Sequence, residues 1–481
     1  MILVKKPYIF CWGEKYMTDD QPVHFQSLSH ICRQLKSGAL SCVALTEYMF
    51  ERIHSLDAQT LSFARLLKEQ ALSSAAARDA AQAQGQPLGP LHGVPIAIKD
   101  LLYTKGIATA SGTLVMQDFL PTFDATVVTL LENAGAVIIG KTQLTEGAFG
   151  HHHPSITAPI NPWDKLAWSG VSSSGSGVSV AAGLAFASLG SDTGGSIRFP
   201  SASCGLVGLK PSYGRVSLYG AFPLAGSLDH IGPMTRSVED AARMLSVIAG
   251  YDAQDPGSLD APVPNYMSAL TTENSQDFNG IRIGVDWDYV TGGVEPEVSE
   301  VIRFTTKALS ELGAEIVPVT MPASYKVLAS SWVATTGVEC AKAHSEFYPQ
   351  QKALYGPDLA ALIDLGLRVS DADYAQLEGI RLDFTDQMEH ILRAVDVMIS
   401  PCMPIATPDQ LTMAEGIQPE ESQADFLTFT APFDYSGHPT LTMPSALNAK
   451  GRPMSFQLVA KNLDEANLLK VGHMIEQNSP K

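Results

Sequence analysis

Hydrophobic and polar residues follow two rhythms along the chain, and together these predict helices interleaved with strands. Leu28, Ile31 and Leu35 recur at helical spacing, and residues 71–83 are an alanine-rich helix. The segment ATVVTLLEN (125–133) has the pattern of an amphipathic helix, whereas the AVIIGKT run that follows it has the pattern of a buried strand. The first third of the chain therefore mixes both kinds of element.

One apolar strand ends on a lysine. The segment HGVPIAIKD places Lys99 at the end of a short run of hydrophobic residues. Because side chains alternate along a strand, Lys99 shares a face with Ala97 and Pro95. A lysine desolvated in this position has a lowered pKa and can act as a neutral general base.

The second half of the chain alternates between strands and helices. Patterning predicts helices over 237–250, 298–312 and most of 324–394, and strands over 206–210, 281–285, 314–319 and 395–401. This βαβ rhythm is typical of a mixed, mostly parallel sheet with helices on both faces. Although 481 residues would allow two or three domains, no linker or internal repeat divides the chain. We therefore predict a single large α/β/α domain over residues 25–481.

Composition narrows the classes of partner and compartment. Hydrophobic residues make up 45% of the chain and the formal net charge is −18, which disfavours nucleic acid and anionic membrane surfaces. No stretch approaches the ~18 apolar residues of a membrane span. Six cysteines lie without paired or metal-like spacing, which suits reduced thiols and predicts a cytoplasmic protein. Residues 1–24 are expected to be a poorly ordered extension, with Met17 as an alternative start.

The stretch 168–198, WSGVSSSGSGVSVAAGLAFASLGSDTGGSIR, holds the candidate chemistry. Its middle is apolar and of helix length, which a flexible linker would not be. Gly194, Gly195 and Ser196 offer a hydroxyl beside unobstructed backbone N–H groups, as acyl transfer requires. No histidine lies within the stretch, so Ser172 or Ser173 would have to relay a proton to a base elsewhere, and Lys99 is the candidate.

These motifs together resemble the amidase signature family of serine hydrolases. The family pattern is a lysine in a GVP-apolar-KD strand, then GGSS, then DTGGSIR; here the first and third are intact and the second reads GVSS. The similarity continues through CGLVGLKPSYGRVS, SLDHIGPMTRSVEDAA and TAPFDYSGHPTLTMPSA, and so covers the chain from about residue 25 onward. The resemblance implies a large amidase signature domain and hydrolysis without a metal or other cofactor.

Carried over motif by motif, the resemblance implies roles for individual residues. Ser196 would be the nucleophile, Ser172 the relay and Lys99 the base, and a cis peptide would precede Ser172, where the family has glycine and this chain has Val171. The implied oxyanion hole is formed by the backbone N–H groups of Thr193, Gly194, Gly195 and Ser196. Substrate would be bound by Ser172 and by main-chain groups of Ala148 and Phe149.

Two patterns suggest other chemistry and are better explained by structure. Gly135, Gly140, Lys141 and Thr142 satisfy the phosphate-loop spacing, but the residues between the glycines are those of a buried strand. His151, His152 and His153 are consecutive, so in an extended segment they point to alternating sides and do not converge on one metal ion. We interpret them as solvated or pocket-rim side chains.

The sequence therefore predicts hydrolysis of a small-molecule amide, or of a related carbamate or ester, through an acyl-enzyme on Ser196. The alternative is a glutamine-hydrolysing subunit of an amidotransferase complex, and a non-catalytic relative is disfavoured because Lys99, Ser172 and Ser196 are all present. Dimers are common among relatives, so a homodimer is a further expectation.

Overall fold

The computed structural model describes residues 21–271, 277–348, 350–414 and 425–478. The predicted N-terminal extension and the alternative start at Met17 lie almost wholly outside this part of the chain; of residues 1–24, only the last four are described, and Val23–Phe25 form a 3₁₀ turn. No helix in the described ranges is long and apolar enough to cross a membrane.

The described strands form one sheet of 11 strands in the order β1-β3-β2-β4-β6-β5-β10-β11-β9-β7-β8. Their bounds in chain order are Phe63–Leu66 (β1), Pro95–Lys99 (β2), Val137–Thr142 (β3), Ala187–Asp192 (β4), Val207–Lys210 (β5), His230–Thr235 (β6), Arg282–Val285 (β7), Glu315–Pro318 (β8), Val397–Pro401 (β9), Thr440–Leu447 (β10) and Pro453–Val459 (β11). The single α/β domain with a mixed sheet is confirmed.

The proportion of parallel pairs differs from the prediction. Parallel pairing is confined to β2 with β3 and β4, and to β7 with β8 and β9. The other six described pairs are antiparallel, so the sheet is mixed but not mostly parallel. The physical reason lies in the connections, because β10 and β11 are joined by a short turn that can only produce an antiparallel pair.

Helices pack against this sheet and cover its strands. Their bounds are Leu28–Ser37 (α1), Cys42–Thr60 (α2), Lys68–Ala83 (α3), Thr126–Asn133 (α4), Ser174–Ala181 (α5), Arg198–Cys204 (α6), Val238–Ile248 (α7), Tyr266–Ala269 (α8), Trp287–Thr291 (α9), Pro296–Glu311 (α10), Tyr325–Ala343 (α11), Pro357–Gly366 (α12), Asp371–Leu392 (α13), Gln410–Ala414 (α14), Ala431–Tyr435 (α15) and Glu465–Gln477 (α16). Helix α5 packs on β2, β3, β4 and β6, while α11 packs on α12, α13 and α15.

The predicted helix at the start of the described chain shows why these residues fold as they do. Leu28, Ile31 and Leu35 are fully buried, so their helical spacing produces one apolar face. The hydroxyl of Ser27 accepts the backbone N–H of His30 and caps the first turn. Gly38 ends the helix with φ 74°, a left-handed conformation that favours glycine.

The pairing of β2 with β4 determines where the candidate chemistry lies. The two strands are parallel and adjacent, with Ile98 opposite Leu189. Their carboxyl ends therefore meet at the same edge of the sheet, where open α/β sheets usually bind ligands. Lys99 is the last residue of β2, and Ser191 and Asp192 are the last two of β4.

Candidate active site

Lys99 lies at the centre of a cluster of serine hydroxyls. Its side chain is fully buried, and its Nζ lies 2.7 Å from Ser172 Oγ and 2.9 Å from each of Ser173 Oγ and Ser191 Oγ. The sequence pattern identified Ser172 and Ser173 but gave no role to Ser191. The signal that could have found Ser191 is the parallel pairing of β2 with β4, which places the ends of both strands side by side.

The environment of Lys99 favours the neutral amine. No carboxylate in the described ranges forms a salt bridge with its Nζ. Desolvation by burial lowers the pKa of Lys99 to about 7, although the more distant carboxylates of Asp192 and Asp229 oppose this shift. The prediction of a desolvated strand-end lysine with a lowered pKa agrees with this geometry.

Lys141 on the neighbouring strand β3 shows the contrast. It is equally buried, but its Nζ lies 3.1 Å from Asp100 Oδ1 and donates a hydrogen bond of 2.7 Å to the carbonyl of Leu102. The residues that imitate a phosphate loop are therefore a buried strand, as expected, and their lysine is held by an ion pair within the protein.

Backbone hydrogen bonds bring the loop of Ser172 against the loop of Ser196. The N–H of Ser173 donates to the carbonyl of Ser196 at 3.3 Å, and the Val171–Ser172 peptide is cis. Ser172 is 1% and Ser196 8% exposed. The structure thus brings all three predicted catalytic residues to one place, with Lys99 in direct contact with Ser172.

Asp192 organises the turn that carries Ser196. Its carboxylate accepts the backbone N–H groups of Gly195 and Ile197, and it also pairs with the guanidinium of Arg198, whose Nη2 lies 2.8 Å from Asp192 Oδ1. Burial alone would raise the pKa of Asp192, but Arg198 and these N–H donors hold it well below its usual range. Arg198 also contacts Asp434, so the whole turn rests on a buried ionic network.

The predicted oxyanion hole needs one correction. The N–H of Gly195 points at Asp192 Oδ1 and is already used within the protein. In the described part of the chain, the N–H groups of Thr193, Gly194 and Ser196 donate to no protein acceptor. Sequence patterning could not show this, because the direction of each N–H depends on the φ and ψ values of the folded turn, including φ 131° at Gly195.

Two residues to which the sequence analysis gave no role pack against the same turn; Asp229 lies within the matching stretch SLDHIGPMTRSVEDAA, whereas Trp332 lies in no motif. Asp229 is buried and accepts the hydroxyl of Thr193 at 2.6 Å; burial raises the pKa of Asp229 to about 7. Trp332 on α11 donates its indole N–H to the carbonyl of Thr193 at 2.8 Å. Helix α11 joins the site only through tertiary packing, so no local signal marks Trp332.

Ala148 and Phe149 lie in the loop that faces this turn. Ala148 is buried and has φ 64°, and the ring of Phe149 stacks on Trp332 with a centroid distance of 5.9 Å. The N–H of Thr145 in the same loop donates to the carbonyl of Ser172 at 3.3 Å. The predicted substrate-contacting loop is therefore adjacent to both serine-bearing segments.

The three consecutive histidines have three separate partners. His151 faces two acceptors, Asp358 Oδ2 at 2.6 Å and a backbone carbonyl, and the bond to Asp358 raises the pKa of His151. His152 contacts Ser174 Oγ at 3.1 Å, and burial lowers the pKa of His152 to about 4. His153 contacts a serine hydroxyl two residues away. Within the described ranges, no group of three or more His, Cys, Asp or Glu is arranged to hold a metal ion.

Comparisons with known proteins identify the family of this chain. The amidase family model matches residues 44–469. AmiD, an amidase homologue of Mycobacterium tuberculosis (strain ATCC 25618 / H37Rv), is 42% identical over 459 residues, which cover 95% of each chain. A glutamyl-tRNA(Gln) amidotransferase subunit of Picosynechococcus sp. (strain ATCC 27264 / PCC 7002 / PR-6) is 36% identical over 472 residues, covering 92% of this chain and 96% of that protein.

Solved structures show the same relationship. The crystal structure of an amidase superposes with a TM-score of 0.83 at 32% identity and covers 94% of this chain and 99% of the other. Sequence similarity, fold and family model thus point to one group of amide-hydrolysing enzymes. This chain belongs to the amidase signature family.

Proposed function

We propose that this enzyme cleaves carboxylic amides through an acyl-enzyme on Ser196, with Ser172 as the proton relay and Lys99 as the base. The observation that carries the proposal is the surroundings of Lys99: a fully buried amine, without a salt bridge to any described carboxylate, in contact with three serine hydroxyls. The contact with three serine hydroxyls distinguishes Lys99 from the other buried lysines, because Lys141 pairs with Asp100, and Lys210, also without a described salt bridge, donates to the carbonyl of Pro211.

The proposed steps run in the order Ser196, Ser172, Lys99; they are supported by the Lys99–Ser172 contact and by the backbone bond that joins the segments of the two serines. Neutral Lys99 takes the proton of Ser172 as Ser172 takes the proton of Ser196, and the Ser196 oxygen bonds to the substrate carbonyl carbon. The N–H groups of Thr193, Gly194 and Ser196 stabilise the negative oxygen that develops. The proton then returns through Ser172 to the leaving nitrogen, the C–N bond breaks, and water repeats the sequence on the acyl-enzyme. The same steps would cleave carbamates and esters.

Labelling and mutation of Ser196 test this proposal. A fluorophosphonate should modify the wild type once, and peptide mass spectrometry should place the adduct on Ser196. Ser196→Ala should lose the label and all measurable amide turnover, and Ser172→Ala should lose most of it. Ser179→Ala is the matched control, because Ser179 is a fully buried serine of α5 whose hydroxyl bonds to its own helix backbone. An adduct on another residue, or turnover by Ser196→Ala near that of the wild type, would refute the assignment.

A second candidate function is glutamine hydrolysis within an amidotransferase complex. It is supported by the 36% identity to the amidotransferase protein over nearly the full length of both chains. In that case glutaminase activity should appear only when partner subunits are added. Amide hydrolysis by the isolated chain, with no gain on adding partners, would favour the free hydrolase.

A further inference from the structure

The aromatic pair beside the Ser196 turn has no role in the proton relay. The indole N–H of Trp332 is bonded to the carbonyl of Thr193, so the polar atom of that ring is already satisfied. Its six-membered ring lies directly on Gly194, because a Cβ built on Gly194 would fall 2.6 Å from Trp332 Cε2. The rest of the indole is apolar and mostly buried, with 8% of the residue exposed, and it lies next to the proposed oxyanion donors.

Phe149 extends this surface towards the other catalytic segment. Its ring is partly exposed and stacks on Trp332, with an interplanar angle of 18°. The loop of Phe149 is tethered to the Ser172 carbonyl through the N–H of Thr145. The stacked pair is thus linked to both the segment of the relay serine, through the loop of Phe149, and the segment of the nucleophile, through Trp332.

Charges around this surface do not favour an ionised acyl group. In the described part of the chain, no lysine or arginine stacks on either ring. The acidic side chains next to the loop and the turn are buried and have partners within the protein: Glu146 accepts the backbone N–H of Gly356, Asp192 pairs with Arg198, and Asp229 accepts the hydroxyl of Thr193. The two rings themselves therefore offer an apolar surface, with no described charged partner on them for a substrate carboxylate.

We propose that Trp332 and Phe149 form the wall of the acyl site and select amides of uncharged aromatic or large apolar carboxylic acids. This inference rests on the proposed function, because it assumes that the acyl group is transferred to Ser196. Flat rings pack well against a stacked aromatic pair, and such contacts add to the free energy of burying the apolar surface. An acyl group with charged substituents, such as the α-carboxylate and α-ammonium of glutamine, is disfavoured at the same site.

A series of p-nitroanilides that differ only in the acyl group tests the proposal. The acyl groups are acetyl, phenylacetyl and γ-glutamyl, so the leaving group is constant. The wild type should have a kcat/KM for phenylacetyl at least about tenfold above those for the other two. Trp332→Leu should lower the ratio of the phenylacetyl to the acetyl value about tenfold, whatever its effect on both, whereas Trp332→Phe, which also lacks the indole N–H, should retain most of that ratio.

Controls separate selection from folding and from the mechanism itself. Trp163→Leu removes an indole that likewise donates to a backbone carbonyl at 2.8 Å, and it should leave the acyl preference unchanged. Phe149→Leu alters the partly exposed partner and keeps the test informative if Trp332→Leu does not fold. An equal loss on all acyl groups, or a wild-type preference for acetyl or γ-glutamyl, would overturn the inference. If the fluorophosphonate adduct on Ser196 is still found, only the acyl assignment fails; if it is absent, the proposed function fails as well.

Discussion

Replacing Lys99 by methionine separates a catalytic lysine from a structural one. Methionine keeps an unbranched side chain of similar length but removes the amine that contacts Ser172, Ser173 and Ser191. If the amine is the base, amide turnover should fall by about 10³-fold, within the range of general-base catalysis. The free energy of unfolding, by contrast, should change little.

The expected stability follows from the pKa. Burial lowers the pKa of Lys99 from 10.5 to about 7. At 1.36 kcal/mol per pKa unit, the folded protein disfavours the charged form of Lys99 by about 5 kcal/mol. At pH 8 the unfolded lysine is charged and the folded one is largely neutral, so burying it costs about 3 kcal/mol. Three lost hydrogen bonds of about 1 kcal/mol each offset that cost. The free energy of unfolding of Lys99→Met should therefore lie within about 2 kcal/mol of the wild-type value at pH 8.

The sign of the pH dependence gives a sharper test. Between pH 7 and 10.5 the unfolded state binds more protons than the folded state at this site, so Lys99 makes the wild type more stable as the pH rises. Lys99→Met lacks this contribution. Its stability relative to the wild type should be greatest at pH 7 and fall by about 1.4 kcal/mol for each pH unit above it.

Lys141→Met is the matched control, since both lysines are fully buried on neighbouring strands and burial lowers the pKa of Lys141 as well, to about 8. Removing Lys141 leaves the buried carboxylate of Asp100 without its cation and should lower the free energy of unfolding by about 3–5 kcal/mol. The assay is urea denaturation of all three proteins at pH 7, 8 and 9. The reasoning fails if Lys99→Met is destabilised as much as Lys141→Met and the difference from the wild type does not change with pH.

Three further outcomes follow from the same contacts. The kcat/KM of the wild type should rise with pH through about 7 and then level off, because Lys99 must lose its proton to act as the base; a flat profile from pH 5.5 to 9 would contradict this. Gly194→Ala should lower kcat at least about tenfold, since its Cβ would lie 2.6 Å from the Trp332 ring, and unchanged steady-state kinetics would show that the turn tolerates displacement. Asp192→Asn should lower the urea midpoint by the equivalent of about 3–5 kcal/mol, because Arg198 loses a buried counter-ion; a change below about 1 kcal/mol would mean that Asp434 suffices.

The local pattern of hydrophobic and polar residues was sufficient to predict most of the helices and strands. The strand ending at Lys99 and the helices at 125–133 and 237–250 are present within a few residues of their predicted bounds. Strand pairing was less predictable, because it joins segments far apart in the chain. The antiparallel contact of β5 with β10, which pairs Lys210 with Thr440, leaves no trace in either segment alone.

The residues of the candidate site likewise fall into those that the sequence indicated and those that only the fold brings there. The resemblance to the amidase signature motifs implied that Lys99, Ser172 and Ser196 act together, and the structure brings their segments into contact. The sequence motifs did not indicate that Ser191 lies beside Lys99 or that Trp332 lies beside Thr193. These contacts depend on which strands pair and on how a distant helix packs.

The sequence by itself determined which groups are available: a lysine at a strand end, serines in a glycine-rich turn, and enough apolar surface to bury them. Only the tertiary structure decided what those groups can do. Burial without a counter-ion lowers the pKa of Lys99, and the fold of the turn assigns the Gly195 N–H to Asp192. The physical reason is that desolvation and hydrogen-bond direction depend on the positions of all neighbouring atoms, which no short stretch of sequence specifies.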